Sequence, residues 1–475
     1  MDPHSLNPDL DTTICAISTP PGVGGIAVAR ISGPEAIPIT QLCWQGSTLT
    51  SVKSHTAHLG YITDPDTREK IDQAVATVFR APASYTGQDT VELSIHGSTY
   101  VQQLAIQTLI KAGAQPAQPG EFTRRAFANG KIDLIQAEAI ADLIDSKNRN
   151  AHRLAISQLR GSVSNKINNL RDRLIDLSAL LELELDFSEE DVTFADRQHL
   201  RDLAQEIHNH IDNLLHSYRS GNAIKNGIPI TIVGETNAGK SSTLNALLGD
   251  DRAIVSDIHG TTRDIVEDTL IIDGQLYRIM DTAGLRDTDD KVEQLGIRRT
   301  LDTIRKAAIV VLVLDATKPI PVKTIADIRT TLAADNPDAT LLITLNKTDL
   351  LHTATQNSDI PNIPGSPIQP IKTATPPDSP ADISALLDAI KTTGNKLTST
   401  TCDTAIANAR QQQVLTDALK SSQATIDALR ADIPADLIAE HLRQTLHHLS
   451  LLTGHITTAT ILSTIFSRYC IGKQV

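Results

Sequence analysis

Residues 230–249 read ITIVGETNAGKSSTLNALLG. The apolar run ITIV stops at Gly234, and a run of helix formers opens just past Gly239. Between them Gly234-Glu235-Thr236-Asn237-Ala238-Gly239-Lys240-Ser241 matches G-x-x-x-x-G-K-[ST], a strand–loop–helix phosphate cradle. In such a cradle the backbone N–H groups face phosphate oxygens, and the helix N-terminus adds its dipole. The stretch from Asn237 through Ala238, Gly239, Lys240 and Ser241 to Ser242 is the expected phosphate site. Lys240 is expected to reach the β- and γ-phosphates, and Ser241 to ligate Mg²⁺.

Outward from this loop the pattern alternates strand and helix to about residue 397. IPITIVG, QLYRIMDT, IVVLVLD and TLLITLN read as strands of the buried, parallel-sheet kind. Asp273-Gly274 between TLII and QLYRIM signals a hairpin. Asn346-Lys347-Thr348-Asp349 follows TLLITLN. A carboxylate there accepts from guanine N1–H and the 2-amino group, two donors that adenine lacks. Asp281-Thr282-Ala283-Gly284 closes another strand. Asp281 is placed to hold Mg²⁺ through water, and the Gly284 N–H to meet a γ-phosphate. AIVSDIHGTTRD at 253–264 adds Ser256, Asp257, Ile258, His259, Gly260, Thr261 and Thr262, with Thr262 as a second Mg²⁺ ligand. The Pro-rich run IPNIPGSPIQPIKTATPPDSP reads as a surface loop with a short strand around IQPIK, carrying Thr373 and Ala374 for the last base contact.

One position breaks the expected pattern. Where Ras-like GTPases carry a water-orienting Gln, this chain has Leu285. Two features offer an alternative. Asn237 and the loop SDIHGT present oxygens that can cage a monovalent cation against the phosphates, the electrostatic task of an arginine finger. Glu293 in the acidic segment beyond can act on the water. Lys240, Asn237 and Glu293 are therefore the candidate catalytic residues.

The chain has 475 residues, 43 Lys+Arg against 56 Asp+Glu, and a formal charge of −13. That balance argues against broad nucleic-acid affinity, which rests on phosphate neutralisation, and leaves room for a local basic patch. Aromatics are only 3%, so the cores must be aliphatic. Cys15, Cys43, Cys402 and Cys470 form no C-x-x-C pair, which speaks against zinc or a disulfide framework. With no signal-like N-terminus and no apolar run of membrane length, a cytoplasmic protein is expected.

Four segments emerge. Residues 1–130 read as a small α/β domain with TTICAIST, GIAVARISG, AVATVF and TVELSIHG as strands and VQQLAIQTLIKAG as a helix. Residues 131–226 read as helical, with Leu170, Leu174, Leu177, Leu181 and Leu185 on one stripe, interrupted by the acidic LELELDFSEEDVTF. Residues 227–397 form the nucleotide unit, and 398–475 return to helix. The fold class is thus a mostly parallel P-loop α/β domain inserted into an all-α domain and preceded by a small α/β domain.

Three further stretches, YTGQDTVELSIHG (85–97), GEFTRRAFANGKIDLIQAEAIADLID (120–145) and IFSRYCIGK (465–473), together with the loops above, resemble the MnmE (TrmE) family of bacterial tRNA-modification GTPases over essentially the whole chain. The resemblance implies a folate-binding, dimerising N-terminal domain and a G domain inserted in a helical domain. It implies GTP hydrolysis aided by K⁺, with Asn237, Ser256, Ile258 and Thr261 as its ligands and Glu293 orienting water. It further implies a homodimer working with MnmG (GidA), an FAD- and NADH-using partner, in a heterotetramer or larger complex. Together they place an aminomethyl or carboxymethylaminomethyl group on C5 of the wobble uridine of certain tRNAs. The one-carbon unit comes from a tetrahydrofolate such as 5-formyltetrahydrofolate, with Arg30, Glu92, Lys131 and Lys473 as contacts and Cys470 alongside. Three positions depart from the family pattern: Thr236 where Pro is common, Thr373-Ala374 in place of Ser-Ala, and His455 after Thr453-Gly454 in place of Glu. A regulatory GTPase of ribosome assembly would share the same loops but would need an RNA-binding module, which is not evident in the sequence.

Overall fold

The computed structural model describes residues 10–186, 197–249, 253–255, 268–280, 303–350, 371–376, 382–398, 404–431 and 433–456. They fall into two compact units: 1–144 with 158–204 and 420–475, and 145–157 with 205–419.

The first unit opens on a seven-stranded sheet. Its strands are β1 (Ile14–Ile17), β2 (Ile26–Ser32), β3 (Trp44–Gln45), β4 (Thr56–Thr63), β5 (Lys70–Phe79), β6 (Thr90–His96) and β7 (Gln115–Pro116), in the order β3-β4-β5-β6-β2-β1-β7. All neighbours are antiparallel except β1 and β7. Inward Ala27, Ala29 and Ile31 of β2 alternate with outward residues, and with Val91, Leu93 and Ile95 of β6 they build an aliphatic core. Helices α1 (Ala36–Leu42) and α2 (Thr99–Lys111) contribute Ile37, Ile39, Ala105 and Leu109 to it, beside Trp44. Helix α2 gives way at Gly113, whose φ of +117° is open to glycine at little cost.

Along the chain follow helices α3 (Glu121–Ala128), α4 (Leu134–Ile144), α5 (Arg149–Leu159), α6 (Ser162–Asp186) and α7 (Arg197–Asn226). Asp133 and Gln136 close a reciprocal capping box at the start of α4, each side chain accepting from the other's backbone N–H at 2.8–2.9 Å. Of the predicted leucine stripe, Leu170, Leu174, Leu177 and Leu181 are buried. They lie on α6 (Ser162–Asp186), which packs against the helix Ala435–Thr453. One expectation is corrected here: α6 runs on through LELELD to Asp186 rather than breaking at the acidic stretch. Leu and Glu are both strong helix formers, and the Leu177–Leu181 seam carries the helix forward. The Ala435–Thr453 helix stops at Gly454, with φ +85°; a Cβ there would meet the Phe127 ring at 2.7 Å. His455, the adjoining departure, is exposed.

The second unit is built on β8 (Ile228–Val233), β9 (Ala253–Val255), β10 (Asp268–Ile272), β11 (Gln275–Ile279), β12 (Ile309–Asp315), β13 (Thr340–Asn346) and β14 (Ile371–Lys372). Their order is β14-β13-β12-β8-β11-β10-β9. From β14 to β11 all pairs are parallel, and β10 pairs antiparallel with both β11 and β9. The Asp273-Gly274 turn takes φ of +51° and +77°, the doubly left-handed geometry of a I′ hairpin. Strand β12 is buried on both faces, as a parallel core strand must be. Ile309, Val311 and Val313 face a core shared with α8 (Lys240–Gly249) and the Ser384–Thr398 helix. Val310, Leu312 and Leu314 face the other, with Ile325 and Leu332 of the Val322–Asp335 helix. Among the described residues no helix is long and apolar enough to cross a membrane.

Candidate functional site

The parallel strands β8, β12, β13 and β14 all point their carboxyl ends to one edge of the sheet, and β8 is flanked by β11 on one side and β12 on the other. In open α/β sheets ligands sit outside the carboxyl ends where the chain runs off in both directions. Residues 234–241, Asp315, Asn346 and Thr373 each follow or end one of these strands.

Gly234 and Gly239 of the phosphate loop have φ of +154° and +97°. A Cβ on Gly234 would collide with the Val313 carbonyl, and one on Gly239 with the Asn346 amide. Both positions therefore exclude side chains. Asn237 holds φ +64°, a region Asn tolerates better than most residues, and it is exposed with Thr236 and Ser242. Lys240 lies at the start of α8 and donates to the carbonyls of Gly234 (3.0 Å) and Glu235 (2.8 Å). Burial pushes its ammonium below the usual lysine range, an environment that favours an arriving anion. Ser241, half-buried, begins the same helix.

Asn346 is fully buried at the end of β13. Its Nδ2 donates to the Ala238 carbonyl at 3.2 Å and to Thr375 Oγ1 at 3.0 Å. The same amide thereby joins the phosphate loop to the loop after β14. Thr373 is buried there and is held by its N–H on the Leu345 carbonyl and its hydroxyl 3.0 Å from that of Thr344. Ala374 pairs with Asp382 through both backbone bonds. The Thr348 hydroxyl donates to the Thr373 carbonyl at 2.8 Å. Asp349 is exposed beside this loop.

Asp315 is a residue that the motif reading missed. It ends β12 and accepts from Lys347 Nζ at 2.8 Å, and from the Thr317 hydroxyl and N–H at 2.6 and 3.0 Å. Burial pushes its carboxyl up, but the Lys347 and Thr317 donors outweigh it and hold the group at about 2. Lys347 itself sits at φ +62°, so its backbone is strained and its side chain tethered. Asp315→Ala is expected to weaken GDP binding about tenfold, since a hydrogen bond to a charged group contributes roughly 1.5–3 kcal/mol. The folded value lies below the ordinary one of about 3.9. The pair is therefore intact above about pH 4 and lost as pH falls toward 2. The wild-type-to-variant affinity ratio should be unchanged between pH 5 and pH 7 by titration calorimetry; a ratio under twofold would remove Asp315 from the site.

Ser256, Asp257, Ile258, His259, Gly260, Thr261, Thr262, Asp281, Thr282, Ala283, Gly284, Leu285 and Glu293 lie outside the described residues, as do Cys470 and Lys473.

In the first unit the two stretches singled out at 85–97 and 120–145 pack on one another. Arg30 and Glu92 face each other across β2 and β6, with Nη2 and Nε of Arg30 at 2.7 and 2.9 Å from Glu92 Oε1. The guanidinium lies over the rings of Tyr85 (5.3 Å) and Phe122 (5.4 Å). The Tyr85 phenol, pushed up by burial, meets Thr123 Oγ1 at 2.8 Å. Lys131 Nζ donates to the Pro82 carbonyl at 3.0 Å, and Asn129 Nδ2 to Thr86 O at 2.7 Å. Arg125, fully buried, reaches Glu121, Gln88 and both the carbonyl and hydroxyl of Thr12.

The pattern described as the MnmE helical domain matches residues 134–470, and that described as the GTP-binding protein TrmE N-terminus matches 13–131. The chain belongs to the MnmE family. A "tRNA modification GTPase MnmE" of Parabacteroides distasonis is 45% identical over 97% of this chain and 100% of its own length. The MnmE of Bacteroides fragilis is 43% identical over 97% and 99%, and that of Salinibacter ruber is 43% identical over the same shares.

Proposed function

We propose that the protein is a GTP hydrolase that serves tRNA modification. The observation that carries this reading is the Asn346 amide, which ties the phosphate loop to the base-side loop in a chain whose relatives named tRNA modification GTPase span its length. Lys240 binds the β- and γ-phosphates, Asp349 accepts from guanine, and the loop of Thr373 and Ala374 closes over the base. Gly234 and Gly239 form a cradle that a Cβ would fill, and the exposed Asn237 carbonyl and half-buried Ser241 supply oxygen donors suited to hard cations. Asn237, Ser256, Ile258 and Thr261 would hold K⁺; Ser241 and Thr262 would hold Mg²⁺. When bound, these cations would supply positive charge against the phosphate oxygens. Glu293 orients the attacking water in place of the absent Gln.

The finer reading has four parts. The protein works as a homodimer with an FAD-dependent partner, MnmG. The product is a (carboxymethyl)aminomethyl group on C5 of uridine 34. Arg30, Glu92, Lys131 and Lys473 bind a tetrahydrofolate such as 5-formyltetrahydrofolate. The Arg30–Glu92 pair between two aromatic rings fits a flat heterocycle with a donor edge, and Lys131 fits an anionic tail. The domains are those at 1–130, 131–226, 227–397 and 398–475.

The test is GTP hydrolysis by the full chain in KCl against NaCl at equal ionic strength. We expect stimulation by K⁺ of tenfold or more, about 1.4 kcal/mol at the barrier. The stimulation should vanish in Asn237→Gly, because glycine accepts this left-handed φ and so takes away the side chain and its oxygen without disturbing the backbone. Equal rates in both salts would remove the cation and its ligand set from the reading.

A further inference from the structure

The loop after β14 reads Thr373-Ala374-Thr375, and its last residue has no part in the motifs that define the nucleotide site. We propose that Thr375 is a positioning residue for guanine-nucleotide binding, acting through Asn346. The inference rests on the guanine-nucleotide reading above and goes beyond it.

The geometry is specific. Thr375 Oγ1 lies 3.0 Å from Asn346 Nδ2 and 3.1 Å from Asn346 Oδ1, so one hydroxyl serves both ends of a fully buried amide. A hydroxyl can accept and donate, and few other side chains of this size can do both. The third partner sets the direction of the amide. The Ala238 carbonyl only accepts, so Nδ2 must face it, at 3.2 Å. Thr373 cannot replace Thr375: its hydroxyl is 3.4 Å from Asn346 Oδ1 and is already engaged with Thr344 at 3.0 Å.

Asn346 also abuts Gly239, where a Cβ would strike its Nδ2. The amide is therefore wedged between the phosphate loop and the base-side loop. Thr375 keeps the two loops at a fixed spacing by holding the amide in place. A guanine nucleotide spans both loops, and preorganisation of its two grips raises affinity without touching the chemistry at the γ-phosphate. Removing the hydroxyl leaves a buried amide short of a partner and lets the two loops drift apart.

The experiment compares full-length wild type, Thr375→Val, Thr375→Ala and Thr375→Ser, and places Thr375→Val also in an Asn346→Ala background. Each is titrated with a fluorescent GDP, assayed for GTP hydrolysis and melted without nucleotide. Thr375→Val and Thr375→Ala should raise the GDP Kd and the GTP KM roughly tenfold, with kcat unchanged and the nucleotide-free melting temperature lower by only a few degrees, the cost of the amide left short of a partner. Thr375→Ser should bind as wild type does. In the Asn346→Ala background the second substitution should add nothing, because its effect runs through the amide. Three results would overturn the proposal: unchanged Kd in the Val and Ala variants, a Ser variant as weak as Val, or an undiminished effect in the Asn346→Ala background. Failure of the wild type to prefer GDP over ADP would instead overturn the guanine reading and this inference with it.

Discussion

Lys240→Ala is expected to lower kcat/KM for GTP by on the order of 10²- to 10³-fold, the usual consequence of removing one charged group aimed at a transition state. Its ammonium is held by the carbonyls of Gly234 and Glu235 at 3.0 and 2.8 Å. It thus sits within its own loop, where phosphate oxygens must lie if the backbone N–H groups are to reach them. The surrounding burial strengthens the charge it offers. Because Gly234 and Gly239 set the loop's shape through their own backbone angles, truncating Lys240 should leave that shape in place. Phosphate release measured at saturating and limiting GTP, with a melting curve as the folding control, decides the matter. A loss under tenfold would place the phosphate grip elsewhere.

Arg125→Ala is expected to destabilise the N-terminal sheet by roughly 3–5 kcal/mol, the range for stripping one partner from a buried ion pair. Arg125 is 0% exposed and holds Glu121 Oε1 at 2.9 Å, the Thr12 carbonyl at 2.6 Å and Gln88 Oε1 at 3.1 Å. Without it the buried Glu121 keeps, among the described residues, its bond from the Gln118 N–H and its distant neighbour Arg124 at 4.0 Å. Lysine cannot reproduce the planar fork, so Arg125→Lys should recover only part of the loss. The chain's single tryptophan makes the test selective: Trp44 lies buried in this sheet's core. Urea unfolding of the full chain followed by its fluorescence reads this domain alone, and a shift below about 1 kcal/mol would contradict the assignment.

Much of the architecture is written in short windows. The strand–loop–helix at 230–249 is legible because a β-branched run, two glycines and a helix-forming run fall within twenty residues of one another. The Asp273-Gly274 hairpin and the leucine seam of α6 are legible for the same reason, since turn chemistry and helical period are local. The acidic LELELD reads as an interruption because its like charges alternate with leucine off the helical period; the packed seam before it keeps the helix going to Asp186.

The links within the candidate sites are not local. Asn346 meets Ala238 across 108 positions of sequence, Arg125 meets Thr12 across 113, and Asp315 meets Lys347 across 32. None of these pairings carries a periodic or compositional mark, since a threonine or an aspartate at a strand end looks the same whether or not a lysine waits beside it. The motifs therefore identify the MnmE family from sequence and point to the proposed phosphate and guanine loops. The choice of Thr375 and Asp315 as their supports, and of Arg125 as the buried partner of Glu121, Gln88 and Thr12, arises where parallel strands bring distant carboxyl ends to one edge and two separate stretches close on a buried guanidinium. Hydrogen-bond partners in a packed interior are selected by distance and desolvation, and both exist only once the chain has folded.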